Sequence, residues 1–327
     1  QLLTGLLPNT DYRAFIRVYN TDGSVTASSN RIDFKLDAES AVDMTYIRSV
    51  SVIDNQYVKI LVHTSGDTLP FNSIVLERSD DGVNFMQIAT QPYQSSSGYE
   101  FVDNNADFTR KVYYYRTYVL NSCELPTGYS NVSHNILLTG EATAAVTNLL
   151  QWNDYDNWDG GVDYYKIFKK YEINDMFGED DHIISATGAN SYEDDVSELF
   201  HTGSKFAYYV RAFESRDQYG FSDISNSNYV ELQQSPNTYL PNAFTPNGDY
   251  LNEKFMPINT FVPTDSYLFA IYTRTGVLVF ETTNPYDGWD GTFNGRELPT
   301  GVYVYKLTYL LPDKSTFKKS GTVTLIR

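Results

Sequence analysis

One pattern recurs three times along the chain and limits what it can fold into. Ala14-Phe15-Ile16-Arg17-Val18-Tyr19 lines up with Tyr113-Tyr114-Tyr115-Arg116-Thr117-Tyr118 and with Tyr208-Tyr209-Val210-Arg211-Ala212-Phe213. The aligned arginines, Arg17, Arg116 and Arg211, are 99 and 95 positions apart. Each segment alternates with period two, as a half-buried strand must. Each is followed by a polar turn with Gly and then a Ser/Asn-rich start to another strand: Ser28-Ser29-Asn30, Ser130-Asn131, and Ser225-Asn226-Ser227-Asn228. A second echo precedes two of them, Tyr99-Glu100-Phe101-Val102-Asp103 and Ser191-Tyr192-Glu193-Asp194-Asp195. A period near 95 residues, built from short strands and frequent turns, is the size of one β-sandwich.

Composition agrees with an all-β chain of several domains. The 327 residues exceed one ordinary domain. The 28 Tyr and 19 Phe favour sheets. A formal charge of −17 speaks against a nucleic-acid partner engaged through a basic surface. That acidity is unevenly placed: residues 236–327 balance eight Lys/Arg with eight Asp/Glu, so all of the net charge sits in residues 1–235. The single Cys123 excludes an internal disulfide framework and a cysteine-based zinc site, and reads as a buried thiol. No apolar stretch is long enough for a membrane-spanning helix.

Gln1 opens neither on a signal peptide nor on a domain start. Leu6-x-Pro8-x-Thr10-x-Tyr12 and the alternating strand after it resemble the second half of a fibronectin type III module, and the resemblance implies that Tyr12 makes a tyrosine corner. The expected organisation is therefore a C-terminal part of such a module at 1–40, with residues missing upstream. Two whole fibronectin III-like or Ig-like modules follow at 41–139 and 140–233. In the second of these, Leu150-Gln151-Trp152 resembles the family's buried strand-B Trp. The module at 41–139 has Val58-Lys59-Ile60-Leu61-Val62 instead, so its core must be filled differently. Gln233-Gln234-Ser235-Pro236-Asn237 reads as a linker.

Residues 234–327 read as another small sandwich. Tyr267–Tyr272 and Val277–Phe280 flank Thr273-Arg274-Thr275-Gly276, a hairpin with Gly where positive φ is wanted. Gly301–Leu307 alternates as a strand, and Gly321–Arg327 reads as the terminal one. Asp287-Gly288 and Asp290-Gly291 bracket Trp289. Five segments in order are similar to the gliding-motility-associated C-terminal domain, the type B sorting domain of the type IX secretion system. They are Tyr239–Asp249, Tyr272–Gly276, Gly288–Thr292, Leu298–Tyr305 and Leu325-Ile326-Arg327. The family continues Gly-Asp-Gly-x-Asn-Asp where this chain has Gly248-Asp249-Tyr250-Leu251-Asn252-Glu253, which questions a glycine-dependent turn here. The resemblance implies an export address on a secreted or surface protein, read by the type IX translocon and an outer-membrane shuttle or anchor protein. The expected reading surface is Pro241, Asn242, Phe244, Pro246, Asn247, Gly248 and Asp249 with Trp289 and the terminal Leu325, Ile326 and Arg327.

Other chemistry is sparse. His63, His134, His182 and His201 have no fixed partner spacing, and nothing resembles a nucleophile elbow, so no catalysis is expected. Glu179-Asp180-Asp181-His182 reads as a solvated acidic loop. No cofactor is expected, although Asn247, Asp249, Asn252 and Glu253 offer the oxygen ligands that calcium prefers. Exposed tyrosines on the modules offer faces for a surface glycan or other adhesive ligand. The expected role is the C-terminal region of a large exported protein, adhesin-like and gliding-associated, with the repeats as stalk. The alternatives are the spacer and sorting region of an enzyme with its catalytic domain upstream, and a structural subunit of a surface assembly.

Overall fold

The computed structural model describes residues 6, 10–35, 44–65, 71–94, 97–121, 124–156, 158–173, 176–185, 189–200, 203–216 and 219–327, with backbone alone over 171–173 and 176–185. The motif around Pro8, Cys123 and His201 lie outside the described residues, as do the side chains of the 179–182 cluster. Strands dominate, and the only helical element among the described residues is one 3-10 turn, Ser197–Leu199. The chain divides into two compact units. One is Gln1–Asn135 with Asp156–Asp159, the other Ile136–Tyr155 with Gly160–Arg327.

In the first unit, Asp11–Ala14 pairs with Ile32–Lys35, and Arg17–Tyr19 with Val25–Ser28. A sandwich follows. Its first sheet orders Thr45–Ile53, Tyr57–Thr64 and Gly98–Asp103; its second orders Met86–Pro92, Ser73–Ser79 and Tyr114–Leu120, closed by Pro126–Thr127 and Ser133–His134. Alternation along Tyr57–Thr64 and Gly98–Asp103 sends every second side chain inward. Val62 occupies the place that Trp152 takes in the other sandwich. Phe71, Tyr99, Phe101 and Phe108 supply the aromatic volume instead. Tyr113 makes the corner expected of Tyr12: its hydroxyl accepts the Asp107 N–H at 3.2 Å.

The second unit opens with a sandwich of the same plan. Leu138–Ala142, Thr147–Trp152 and Ser191–Asp195 form one sheet; Met176–Ser185, Val162–Ile173 and Lys205–Glu214, with Ile224–Asn226 and Val230–Gln233, form the other. Each sandwich thus faces a three-stranded sheet with a five-stranded one, its last edge split into two short strands, an architecture shared by Ig-like and fibronectin type III modules. Trp152 is buried, edge-on to Tyr165 at 5.5 Å. The stretch expected to be a linker is short and tied down. Gln233 still ends a strand, and the buried Gln234 amide donates to the Thr147 carbonyl at 2.9 Å and to Asn148 Oδ1 at 2.8 Å.

The Ser/Asn segments after the repeated strands are one structural device used three times. Ser29, Ser130 and Ser227 each exchange two hydrogen bonds with one residue of the neighbouring strand, through their own N–H and their hydroxyl. The partners are Ile16, Thr117 and Val210, with every distance 2.8 or 2.9 Å. Each hydroxyl then donates to the carbonyl of the following Asn. These bonds correct the arginine alignment. Ile16, Thr117 and Val210 are equivalent, so Arg17 and Arg211 follow that position while Arg116 precedes it. A strand pattern of period two can slip by two residues without changing faces, which is why the sequence conceals the shift.

The corrected register reveals a second repeat, a cation–Asp–Tyr group in each sandwich, with a buried carboxylate and tyrosine and a cation that is half-buried at Arg78 and buried at Lys169. Arg78 reaches Asp103 at 2.8 Å and Tyr115 donates to the same carboxylate at 3.0 Å. Lys169 reaches Asp194 at 3.2 Å, and Tyr208 donates to it at 2.6 Å.

In the terminal domain the main sheet orders Ala243–Phe244, Thr316–Leu325, Gly301–Leu310, Leu268–Tyr272 and Leu278–Thr282. Gly276 turns the hairpin with φ +89°. The final strand starts at Thr316 rather than at 321, and it stops at Leu325, leaving Ile326 and Arg327 beyond it. Small two-stranded pieces, Asn237–Tyr239 with Ile258–Thr260 and Thr292–Phe293 with Arg296–Glu297, cover the core.

Candidate functional site

The five segments singled out in the terminal domain converge at one end of its sheet. Ala243–Phe244 lies parallel to Thr324–Leu325, and Trp289 bridges to Phe255 by paired backbone bonds of 2.8 and 3.0 Å. The Trp289 indole packs against Phe244 at 5.3 Å and edge-on to Tyr303 at 4.8 Å, and its N–H donates to the Thr292 carbonyl at 2.8 Å. The flanking glycines are explained by contact. A Cβ on Gly288 would stand 2.9 Å from that of Met256, and one on Gly291 would press on Leu325. Arg327 donates to the carbonyls of Leu298 and Gly291, and its guanidinium is 3.6 Å from Glu297. Arg327 thereby locks the segment after the final strand onto the loop that carries Trp289.

The expected reading residues therefore fall into two groups. Phe244, Trp289 and Leu325 are interior, with Leu240 and Phe255 around them, and act by shaping the domain. Asn247, Gly248 and Asp249 are exposed, Ile326 is 45 % exposed, and Pro241, Asn242 and Pro246 lie at or near the surface along the same segment. The structure adds two residues to the exposed group. Tyr250 is 92 % and Leu251 66 % exposed, at the tip of the loop.

That loop keeps the left-handed backbone that glycine would supply, despite its departure from the family pattern. Gly248, Tyr250 and Asn252 have φ of +82°, +67° and +54°. For Tyr250 this costs about 1–2 kcal/mol relative to glycine. Side chains hold the conformation: Glu253 Oε1 accepts the Tyr250 N–H at 3.0 Å, Asp249 Oδ1 the Leu251 N–H at 2.8 Å, and Asn247 Oδ1 the Asp249 N–H at 3.1 Å. Of the residues considered as calcium ligands, Asn247, Asp249 and Glu253 thus accept hydrogen bonds within their own loop through side-chain oxygens. Among the described residues no group of three or more His, Cys, Asp or Glu is placed to hold a metal ion. The only departure from the family motif found in the sequence marks this tip; its exposure was not readable there.

The remaining candidates lie in the sandwiches. His134 is buried, with Nε2 at 3.1 Å from Asp156 and Nδ1 at 3.2 Å from the Asn135 carbonyl. His63 is half-buried, and burial, with Arg48 nearby, lowers its pKa. Residues 179–182 lie within the strand Met176–Ser185, not in a loop, with Asp180 opposite Lys169 and His182 opposite Ile167. Many aromatic faces are already covered. Phe168 stacks on Tyr209 at 4.4 Å and Tyr164 on Phe213 at 4.5 Å, with Lys166 and Arg211 over the Phe168 ring. Arg116 lies 4.1 Å above Phe85 and 5.0 Å from Tyr129. Such cation–aromatic layers stiffen a sheet face.

Tandem β-sandwiches followed by a compact β-domain define the class of modular all-β proteins. Residues 238–325 match the CHU_C type IX secretion signal domain family, and the terminal domain is a type IX secretion signal domain. The protein is accordingly an exported one, secreted or held at the cell surface. The chain is also similar to the crystal structure of chicken CNTN1 FN1-FN3 domains, at 12 % identity over 70 % of this chain and 80 % of that one, with a TM-score of 0.20. No curated protein matches it. No helix among the described residues is long and apolar enough to cross a membrane.

Proposed function

We propose that the chain is the non-catalytic stalk and export address of a large surface protein, and that the loop 247–253 is the part of the address that a secretion component contacts. The observation that carries this reading is the tip of that loop. An apolar pair, Tyr250 and Leu251, stands in solvent on a backbone held rigid by Asn247, Asp249 and Glu253. A rigid exposed aromatic is an efficient anchor because little freedom is lost when it is buried by a partner. The interior residues Trp289, Phe244 and Leu325 set the position of this loop rather than touching the partner. The translocon or its outer-membrane shuttle is the partner of this reading, and no cofactor takes part.

The sandwiches act as spacers in this reading. Their stacked aromatic and basic side chains cover one another, which favours stiffness over glycan binding, and the gliding and adhesive roles rest with the rest of the surface protein. The test is secretion of a passenger fused ahead of residues 1–327, comparing the native chain with a Tyr250→Ser, Leu251→Ser double variant. The variant should remain folded by its melting curve and accumulate in the periplasm. Normal secretion of that folded variant would refute the loop as the contact.

A further inference from the structure

The Ser-Asn device does more than close a strand: in both complete sandwiches its asparagine grips the module's first strand. Asn131 Oδ1 accepts the Ile47 N–H at 2.8 Å while its amide donates to the Ile47 carbonyl at 3.2 Å. Asn228 makes the same pair with Leu138, at 2.8 and 3.0 Å. Both gripped residues are fully buried. The sheet leaves room for this grip, since the pairing of Thr45–Ile53 with Tyr57–Thr64 shifts register between Ile47 and Ser49. One side-chain amide thus satisfies both polar groups of a buried backbone unit, which would otherwise be costly. The clasped residues stand 84 and 90 positions before their asparagines.

Asn30 holds the third such position. Ser29 makes the same bonds as Ser130 and Ser227, yet no described residue meets the Asn30 amide, which is exposed. The side chains around it are open in the same sense. Ile16 and Val18 are 72 % and 54 % exposed, whereas their counterparts Thr117 and Val119, and Val210 and Ala212, are each 0 % exposed. An inward-facing row without a core is a sheet lacking its opposing sheet.

We infer that Asn30 is the unoccupied strand clamp of a third sandwich, and that its occupant is an extended β-strand of the same polypeptide lying ahead of Gln1. The occupant offers the N–H and C=O of one residue to the Asn30 amide and alternate apolar side chains to Ile16 and Val18. By the spacing of the other two clamps it lies 84 to 90 positions before Asn30. The clamp therefore requires about four further strands' worth of β-sequence between that occupant and Gln1, as each complete sandwich has.

Hydrogen exchange tests this in the 327-residue chain and in the polypeptide recovered from the cell surface. Amides of 11–35 should exchange at least 100-fold more slowly in the recovered polypeptide. Asn30→Ala introduced there should give back about tenfold of that protection, as expected when two hydrogen bonds to a buried strand are lost, without altering 45–64. Asn131→Ala, the control, should loosen 45–64 instead. Strong protection of 11–35 in dilute 327-residue chain would overturn the inference, and protection that grows with concentration would assign the clamp to a second copy. A recovered polypeptide that begins at Gln1, or an Asn30→Ala variant as protected as the parent, would also overturn it.

Discussion

A Cβ placed on Gly291 would stand 3.0 Å from Leu325 Cδ1, while Gly291 itself holds φ at +79°. The two residues meet where the Trp289 loop closes over the final strand. Gly276, with φ +89°, has nothing within 4 Å of the same added atom. The pair separates two costs of the same mutation. Gly276→Ala should cost about 1 kcal/mol for the left-handed backbone alone. Gly291→Ala adds overpacking against Leu325 and should cost about 2–4 kcal/mol in total. Urea unfolding of the two variants checks this, and equal destabilisation would show that the Leu325 contact is slack.

Replacing Tyr250 by Gly should separate stability from export. Removing the side chain from a φ of +67° relieves about 1 kcal/mol of strain, so the variant should melt a few degrees higher. Export of a fused passenger should nonetheless fall, because the exposed ring is lost. A variant both more stable and exported as well as the parent would mean that Tyr250 is tolerated rather than used.

The buried Lys169–Asp194–Tyr208 group makes a sharp prediction about its own sandwich. Asp194→Ala leaves Lys169, which is 5 % exposed, without its carboxylate and should cost about 3–5 kcal/mol. Asp194→Ala with Lys169→Met should recover most of that loss, because a long apolar chain fills the same space without a charge. A chemical-denaturation cycle over the two single variants and the double reads the coupling. Additive losses would show that the ion pair is not what holds these strands.

Alkaline pH should unfold the protein through its interior tyrosines. Burial, reinforced by the adjacent carboxylates Asp103 and Asp194, raises the hydroxyls of Tyr115 and Tyr208 well above the ordinary value of 10.0, and burial pushes Tyr267 up to about 12. Above that ordinary value the unfolded chain releases these protons while the folded one keeps them. The folded state then binds more protons, and stability falls as pH rises. Melting temperatures should be insensitive to these groups below about pH 9 and should drop between pH 10 and 12. Tyr208→Phe should show a shallower drop. A flat profile to pH 12 would contradict the burial of all three.

The strands were legible because alternation is local, and the terminal domain because its turns need particular residues, Gly276 and Gly291 among them. What escaped is set by partners far apart in sequence. The shifted place of Arg116 is hidden by a pattern that repeats every two residues. The amide of Gln234, tucked against Thr147 and Asn148, turned an apparent linker into a joint. The sequence marked Tyr250 as a departure from its family, but only the backbone showed that the departure keeps the turn and puts the ring in solvent. Leu325 and Phe244 read as surface candidates because they border exposed residues; their burial follows from the parallel pairing of two short strands.

That parallel pairing sets an order of events during synthesis. Ala243–Phe244 has no strand beside it until Thr324 and Leu325 exist, and the pocket around Trp289 stays unlatched until Arg327 arrives. The ribosome shields the most recently made few tens of residues, so the address cannot assemble while the chain is still being extended through this region. A product of premature termination, however well its sandwiches fold, would leave the cell's quality control with no exit label to read. If the folded domain is the address, as proposed above, export is reserved for chains whose translation has run to the end of this domain.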